Sequence, residues 1–297
     1  MRVPPPVSAR SRGLERIPAV WLVIGGILSL QVGAALAKDL FDSVPPTAMV
    51  WLRLATCAVI LVAVFRPRLR GRTGRDWLVA LALGVTLAVM NWAIYQSFAR
   101  IPLGIAVTIE FLGPLAVAVL GSRRPRDLIW VALAGLGVGL LGFTRTDLTV
   151  AGVLFALLAG AGWAAYILLS ASTGRRWSGV TGLAVASLVG AVGLAVPAFT
   201  EAGSTLLEPR VLLLGVAIGL LSSVIPYSLE LTALRRMPPR VFGILMSLEP
   251  AAAALAGMIL LSEFLRWTQW LALLCVVLAS VGATRSTRPE SEPGAIP

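Results

Sequence analysis

Ten apolar stretches of about 17 to 23 residues, separated by short segments rich in Arg, Pro, Gly and Asp, fill almost the whole chain. At about 1.5 Å per residue each approaches the roughly 30 Å thickness of a bilayer's hydrocarbon core. Inside hydrocarbon every backbone N–H and C=O needs a partner, which a helix supplies within itself. The composition agrees: of 297 residues, 58% are hydrophobic and 13% charged, with mean hydropathy +0.89. No water-soluble domain with a polar surface has such values. The expected fold is an all-α polytopic membrane protein with ten transmembrane helices, near 18–37, 46–65, 77–98, 103–121, 127–143, 149–171, 179–199, 211–233, 240–261 and 267–284. Residues 1–17 and 285–297 read as tails.

Arg2, Arg10, Arg12 and Arg16 before an apolar run ending in Ala35-Leu36-Ala37 imitate a cleavable signal peptide. That run is longer than the usual signal core of about 7–15 residues, so it reads as a retained first helix. The formal net charge of +11 does not point to nucleic acid, because the basic residues are scattered through interhelical loops. With an N-terminus in the cytoplasm, tails and even-numbered loops hold nineteen basic residues and odd-numbered loops five. Arg53 lies within a span. This bias predicts ten spans with both termini cytoplasmic.

Histidine is absent, which removes His proton relays, His metal sites and Ser-His or Cys-His catalysis. Cys57 and Cys275 lie in apolar segments without CxxC spacing and read as small buried hydrophobes. No metal or cofactor is expected.

Two spans break the apolar pattern. Leu103–Gly121, LGIAVTIEFLGPLAVAVLG, carries Glu110 and Pro114; Arg240–Leu261, RVFGILMSLEPAAAALAGMILL, carries Glu249 and Pro250. A charged group at a helix centre costs about 2.5–3.5 kcal/mol on insertion scales, and a proline frees a backbone carbonyl. Arg100, Pro102 and Pro114 match Arg236, Pro238 and Pro250 at a constant offset of 136 residues. Gly84–Tyr95 (GVTLAVMNWAIY) likewise resembles Gly215–Tyr227 (GVAIGLLSSVIPY), with a small insertion. A unit of five spans makes its second copy enter from the opposite face, so residues 18–143 and 149–284 are expected to form two inverted five-helix repeats around a central cavity. Both glutamates then sit near the membrane midplane. They are not equivalent, since Glu110 aligns with Met246 and Glu249 with Gly113.

An acid at this depth is protonated, paired or facing a wet cavity. Glu110 and Glu249 are therefore candidates for holding a substrate ammonium or a proton, or else for a structural pair with Arg53. Arg53 offers bidentate recognition of a carboxylate, from substrate or from either glutamate, unless it snorkels outwards. Asn91 with Tyr95, and Ser223 with Tyr227, each stand at i and i+4 and form polar stripes that line a cavity or bond neighbouring helices. Glu230, close before Arg235, is a proton-relay or interfacial-pair candidate. Lys38 and Asp39 read as an entrance or an interfacial charge pair. Trp163 and Tyr166 read as aromatic packing or, alternatively, a substrate lid, and Gly135, Gly137 and Gly139 as helix packing rather than a nucleotide loop.

The segments PLGIAVTIEFLGPLAVAVLGSRRP, IPYSLELTALRRMPPRVFGILMSLEP and QVGAALAKDLF resemble the threonine/homoserine-exporting branch of the EamA-type drug/metabolite transporter superfamily. The resemblance implies two inverted bundles of five helices and an inner-membrane exporter of small neutral amino acids, driven by proton exchange. Substrate, protons and membrane lipid would be its partners. The alternatives are the same fold moving another metabolite or a cationic drug and, remotely, a membrane enzyme, for which neither a nucleophile with a base nor a metal cluster is visible.

Overall fold

A computed structural model describes residues 17–65, 69–121, 127–142, 148–177 and 181–286. The described residues are all-helical outside their turns: α1 (Ala19–Asp39), α2 (Pro46–Phe65), α3 (Gly74–Phe98), α4 (Leu103–Glu110), α5 (Leu112–Leu120), α6 (Leu128–Gly142), α7 (Val150–Arg176), α8 (Thr181–Ala202), α9 (Pro209–Gly219), α10 (Ile225–Leu234), α11 (Pro239–Met246), α12 (Glu249–Leu261) and α13 (Trp267–Ser286). Taking α4–α5, α9–α10 and α11–α12 as single spans, nine helices among the described residues are long and apolar enough to cross a membrane. The expected fifth span is present as α6, which at 15 residues is about 22 Å long and falls short of that length. Large apolar side chains face outwards around the bundle, among them Leu213 and Ile259, an arrangement suited to lipid rather than water. The expected tails fall mostly outside the described residues.

Local chemistry sets where the helices start. Thr73 and Asp76 form a reciprocal capping box for α3, and the Thr149 hydroxyl accepts from the Gly152 N–H at the start of α7. Pro102 and Pro238, in nearly the same extended conformation (φ −57°, ψ 142° and φ −59°, ψ 139°), precede α4 and α11. These two half-helices coincide at both ends under the 136-residue offset.

The breaks lie slightly ahead of the prolines expected to cause them. α4 ends at Glu110 and α5 resumes at Leu112; α11 ends at Met246 and α12 starts at Glu249. A proline cannot donate to the carbonyl four residues back, so Pro114 frees Glu110 C=O and Pro250 frees Met246 C=O, and each helix parts where that bond is lost. The insertion in the second half is resolved similarly. The one-residue excess of Gly215–Tyr227 over Gly84–Tyr95 is absorbed as a π-turn, Leu220–Val224, between α9 and α10, whereas α3 is continuous.

Packing between the halves follows an exchange rule. α3 packs on α7 and α8, while α9–α10 packs on α1 and α2; α4 and α5 pack on α7, while α12 packs on α1. α2 with α8, α4 with α12, and α6 with α13 pair directly. Swapping α1 with α7, α2 with α8, α3 with α9–α10, α4–α5 with α11–α12 and α6 with α13 leaves this set unchanged. Small residues permit the closest approaches. Gly104 lies on the Ala254 backbone, and the kink at Gly113 meets the Gly160 carbonyl of α7.

A methyl group at Gly113 would overlap that carbonyl, whereas one at Gly139 meets nothing within 4 Å. Gly113→Ala is predicted to lose about 1–3 kcal/mol by overpacking and to lower the thermal midpoint of the detergent-solubilised protein by roughly 5 °C. Gly139→Ala leaves it unmoved. Equal midpoints for the two variants would contradict the close contact.

Candidate functional site

Between the halves lies a cavity of about 610 Å³. Arg53 of α2, Asn91 of α3, Glu110 and Pro114 of the first broken span, Tyr227 and Glu230 of α10, and Glu249 of α12 all line it. Trp163 and Tyr166 of α7 form part of its wall, and Trp163 meets the Phe111 ring edge-on at 5.2 Å. The residues read as packing aromatics are thus cavity walls as well.

Other predicted residues stand elsewhere. Tyr95 is fully buried behind the wall, 5.8 Å from Phe41 and 5.6 Å from Phe98 between ring centroids, with the Arg53 guanidinium 5.8 Å from its own ring centre. Ser223 is also outside the lining, its hydroxyl accepting from Arg53 Nε at 2.9 Å. The polar stripe on each helix is therefore split, because residues four apart differ by some 40° around the axis and the packed neighbour decides which faces the void. Pro250 likewise does not line the cavity.

Arg53 neither snorkels nor pairs with a glutamate among the described residues. It is buried, and its Nη2 donates to Ser222 C=O at 2.8 Å. Pro226 removes the N–H four residues on from Ser222 and five on from Leu221, whose carbonyl accepts from the Ser29 hydroxyl at 2.7 Å. The guanidinium thus bonds the π-turn of the other half. These two bonds engage two of its five N–H donors. Glu110 lies within reach of Arg53's charge, and Glu249 within reach of Glu230 and Glu110.

Depth orders these groups. Arg53 is seven residues from Pro46, Asn91 seven from Phe98, Glu110 seven from Leu103, and Gln31, which also lines the cavity, eight from Asp39. At 1.5 Å per residue all four lie about 10–12 Å below the same face of the bundle. Every one belongs to the first half. Gln31 was not singled out from the sequence; a lone amide within the first span was the available signal.

That face is closed. Lys38 Nζ sits 2.5 Å from Glu263 Oε1 and donates to Ile101 C=O at 2.8 Å, while the Leu103 N–H donates to Glu263 Oε2 at 2.7 Å. The clasp ties the end of α1 and the start of α4 to the α12–α13 turn, where Ser262 adopts a left-handed φ of 57°. Asp39, expected as the possible partner of Lys38, is exposed. A second tie joins Trp92 and Gln96 of α3 to the Thr47 hydroxyl, which donates to Glu201 at the end of α8. At the opposite face the lining ends on partly or fully exposed residues, Leu183, Leu234, Phe242 and Thr284, whereas Phe98, the lining residue at the end of α3 on the clasped face, is buried; the cavity opens at the former.

The profile of the EamA-like transporter family matches residues 17–144 and again 150–285. The chain is 44% identical to the threonine/homoserine exporter RhtA of Salmonella typhimurium (strain SL1344) over 287 residues, 94% of this chain and 97% of that protein. Identity to the protein of the same name from Escherichia coli (strain K12) is also 44%, over 94% of this chain and 96% of the relative. A crystal structure 21% identical in sequence superposes with a TM-score of 0.60 over 90% of this chain and 96% of the other, a likeness of fold alone.

Loss of the Glu263 carboxylate removes the partner of both Lys38 and the Leu103 N–H. Glu263→Ala is predicted to weaken the clasp by the order of 1–2 kcal/mol and to speed hydrogen exchange at the first amides of α4 roughly tenfold. Glu263→Gln, which keeps an acceptor for the Leu103 N–H, recovers part of the protection. Unchanged exchange in Glu263→Ala would show that the clasp does not hold this end.

Proposed function

The chain belongs to the EamA-like transporter family and is a multi-pass membrane transporter, and we propose that it exports threonine, homoserine or related small neutral amino acids across a bacterial inner membrane in exchange for protons. The observation that carries the reading is a single cavity, closed at one face and open at the other, that places a guanidinium and a carboxylate at one depth. A zwitterion fits that pair. Its carboxylate would meet the remaining N–H donors of Arg53, and its ammonium Glu110 or Glu249.

The proposed topology has ten spans, with α6 as the fifth and residues 18–143 and 149–284 as inverted halves. The exchange-symmetric packing, the two family matches and the odd number of helices per unit support it. The nineteen-to-five distribution of basic residues supports a cytoplasmic side for both termini and the open face, and in that orientation this conformation receives substrate from inside.

Transport then needs the clasp of Lys38 and Glu263 to part as the open face closes. Protonation of Glu110 or Glu249 from outside weakens the hold on the ammonium and releases the amino acid. The proton leaves inwards on the return stroke. Glu230, on the way to the open face, is the proposed relay, and Asn91 and Tyr227 shape the wall. Tyr95 and Ser223 act behind it, by holding Arg53 in place.

Glu110→Gln and Glu249→Gln are predicted to cut proton-dependent threonine transport in inverted vesicles by tenfold or more, with unequal effects on substrate affinity and on proton coupling. Full proton-dependent transport in both variants sinks the assignment. Arg53→Met is expected to lose binding and also stability, because Ser222 C=O loses its guanidinium donor with it. Counterflow of labelled threonine, homoserine, other amino acids and organic cations into proteoliposomes tests the substrate class; preference for an organic cation would overturn the amino-acid reading.

A further inference from the structure

Among the described residues, five buried side chains carry a polar atom without a hydrogen-bond partner: Gln31, Arg72, Tyr95, Thr173 and Thr268. Gln31 alone of these lines the cavity. It is 3% exposed, and its Oε1 has no donor. An amide acceptor left unmade in a membrane interior is a standing penalty that a bound donor relieves. No donor holds Oε1, so rotation of the terminal amide towards the cavity breaks no bond from that oxygen.

The surroundings define what that donor is. Gln31 shares its depth with Arg53, Glu110 and Asn91, and the first two match the carboxylate and ammonium of an amino acid. A neutral acceptor beside them is matched to a neutral donor. Asn91 is already committed in part, its Nδ2 donating to Leu87 C=O at 2.8 Å. Threonine and homoserine, which share a side-chain hydroxyl on an otherwise short aliphatic chain, supply such a donor.

We infer that Gln31 is a specificity-determining residue of this cavity, its amide oxygen accepting the side-chain hydroxyl of a small hydroxylated amino acid. The inference rests on the amino-acid export reading and adds the selection of hydroxylated over plain aliphatic substrates. Leu30 and Ala34, beside Gln31 in the wall, give the remaining methylene or methyl an apolar surface. A site that bonds a substrate hydroxyl rejects the analogue lacking it, because its own polar group is then left unpaired.

2-Aminobutyrate is the deoxy analogue of both threonine and homoserine, so one compound serves as the control for both. In counterflow into proteoliposomes, the wild-type protein is expected to prefer either hydroxylated substrate over 2-aminobutyrate by roughly tenfold. Gln31→Met, of similar length but without the acceptor, brings that ratio close to unity while 2-aminobutyrate transport persists. Gln31→Asn, which withdraws the amide by one methylene, lowers the ratio too and serves if the Met variant does not fold. A ratio unchanged in either folded variant, or a wild-type protein that takes 2-aminobutyrate as readily as threonine, overturns the role of Gln31 alone. A wild-type protein that transports none of the three amino acids overturns the export reading, and this inference with it.

Discussion

A backbone carbonyl without a donor is hard to tolerate in hydrocarbon, and three prolines create such carbonyls beside one cavity. Pro114 frees that of Glu110 and Pro250 that of Met246, and Pro226 withholds its N–H from those of Leu221 and Ser222. The last is met by Arg53, from a helix of the other half, at 2.8 Å, and Leu221 C=O by the Ser29 hydroxyl at 2.7 Å. A helix defect thereby holds Arg53, whose position along its helix matches the depth of Asn91 and Glu110. Gly160 answers the kink near Pro114 differently, by letting the backbone of α7 approach where any side chain would collide.

The two halves are alike in packing and unlike in chemistry. Exchanging them leaves the principal helix pairings unchanged, yet Gln31, Arg53, Asn91 and Glu110 all come from the first, while Tyr227, Glu230 and Glu249 come from the second and lie nearer the open face. Such a division suits a carrier. Shared packing lets two arrangements of the halves be close in energy, while unequal side chains give a bound molecule one orientation. At the closed face the Lys38–Glu263 pair and the Thr47 cluster lie beside the main apolar core, which includes Ala37, Val44, Phe98, Ile101, Leu103 and Leu206, so opening this face parts apolar packing as well as the clasp.

Much of this was legible in residue order. The apolar stretches, the matched prolines and the two acids fall where the chain predicts, and α4 and α11 coincide under the offset read from three residue pairs. The extra residue of the eighth span was visible as an insertion; its form, a π-turn, was not. The stripes holding Tyr95 and Ser223 were read as lining a cavity or bonding neighbouring helices; both face the packed side, where Ser223 accepts from Arg53 of another helix. Lys38 was read beside Asp39, its chain neighbour, and pairs with Glu263 from near the other end of the chain.

The sequence by itself determined that the chain crosses a bilayer, where its helices part and which residues sit in hydrocarbon at a penalty, because transfer free energies and the missing proline N–H are local properties. Only the tertiary structure decided which side of each helix meets the void, that Arg53 is held by the other half, that Gln31 lacks a partner and which face is shut. Those depend on the rotation of each helix about its axis, and that rotation is set by contacts with helices distant in the chain.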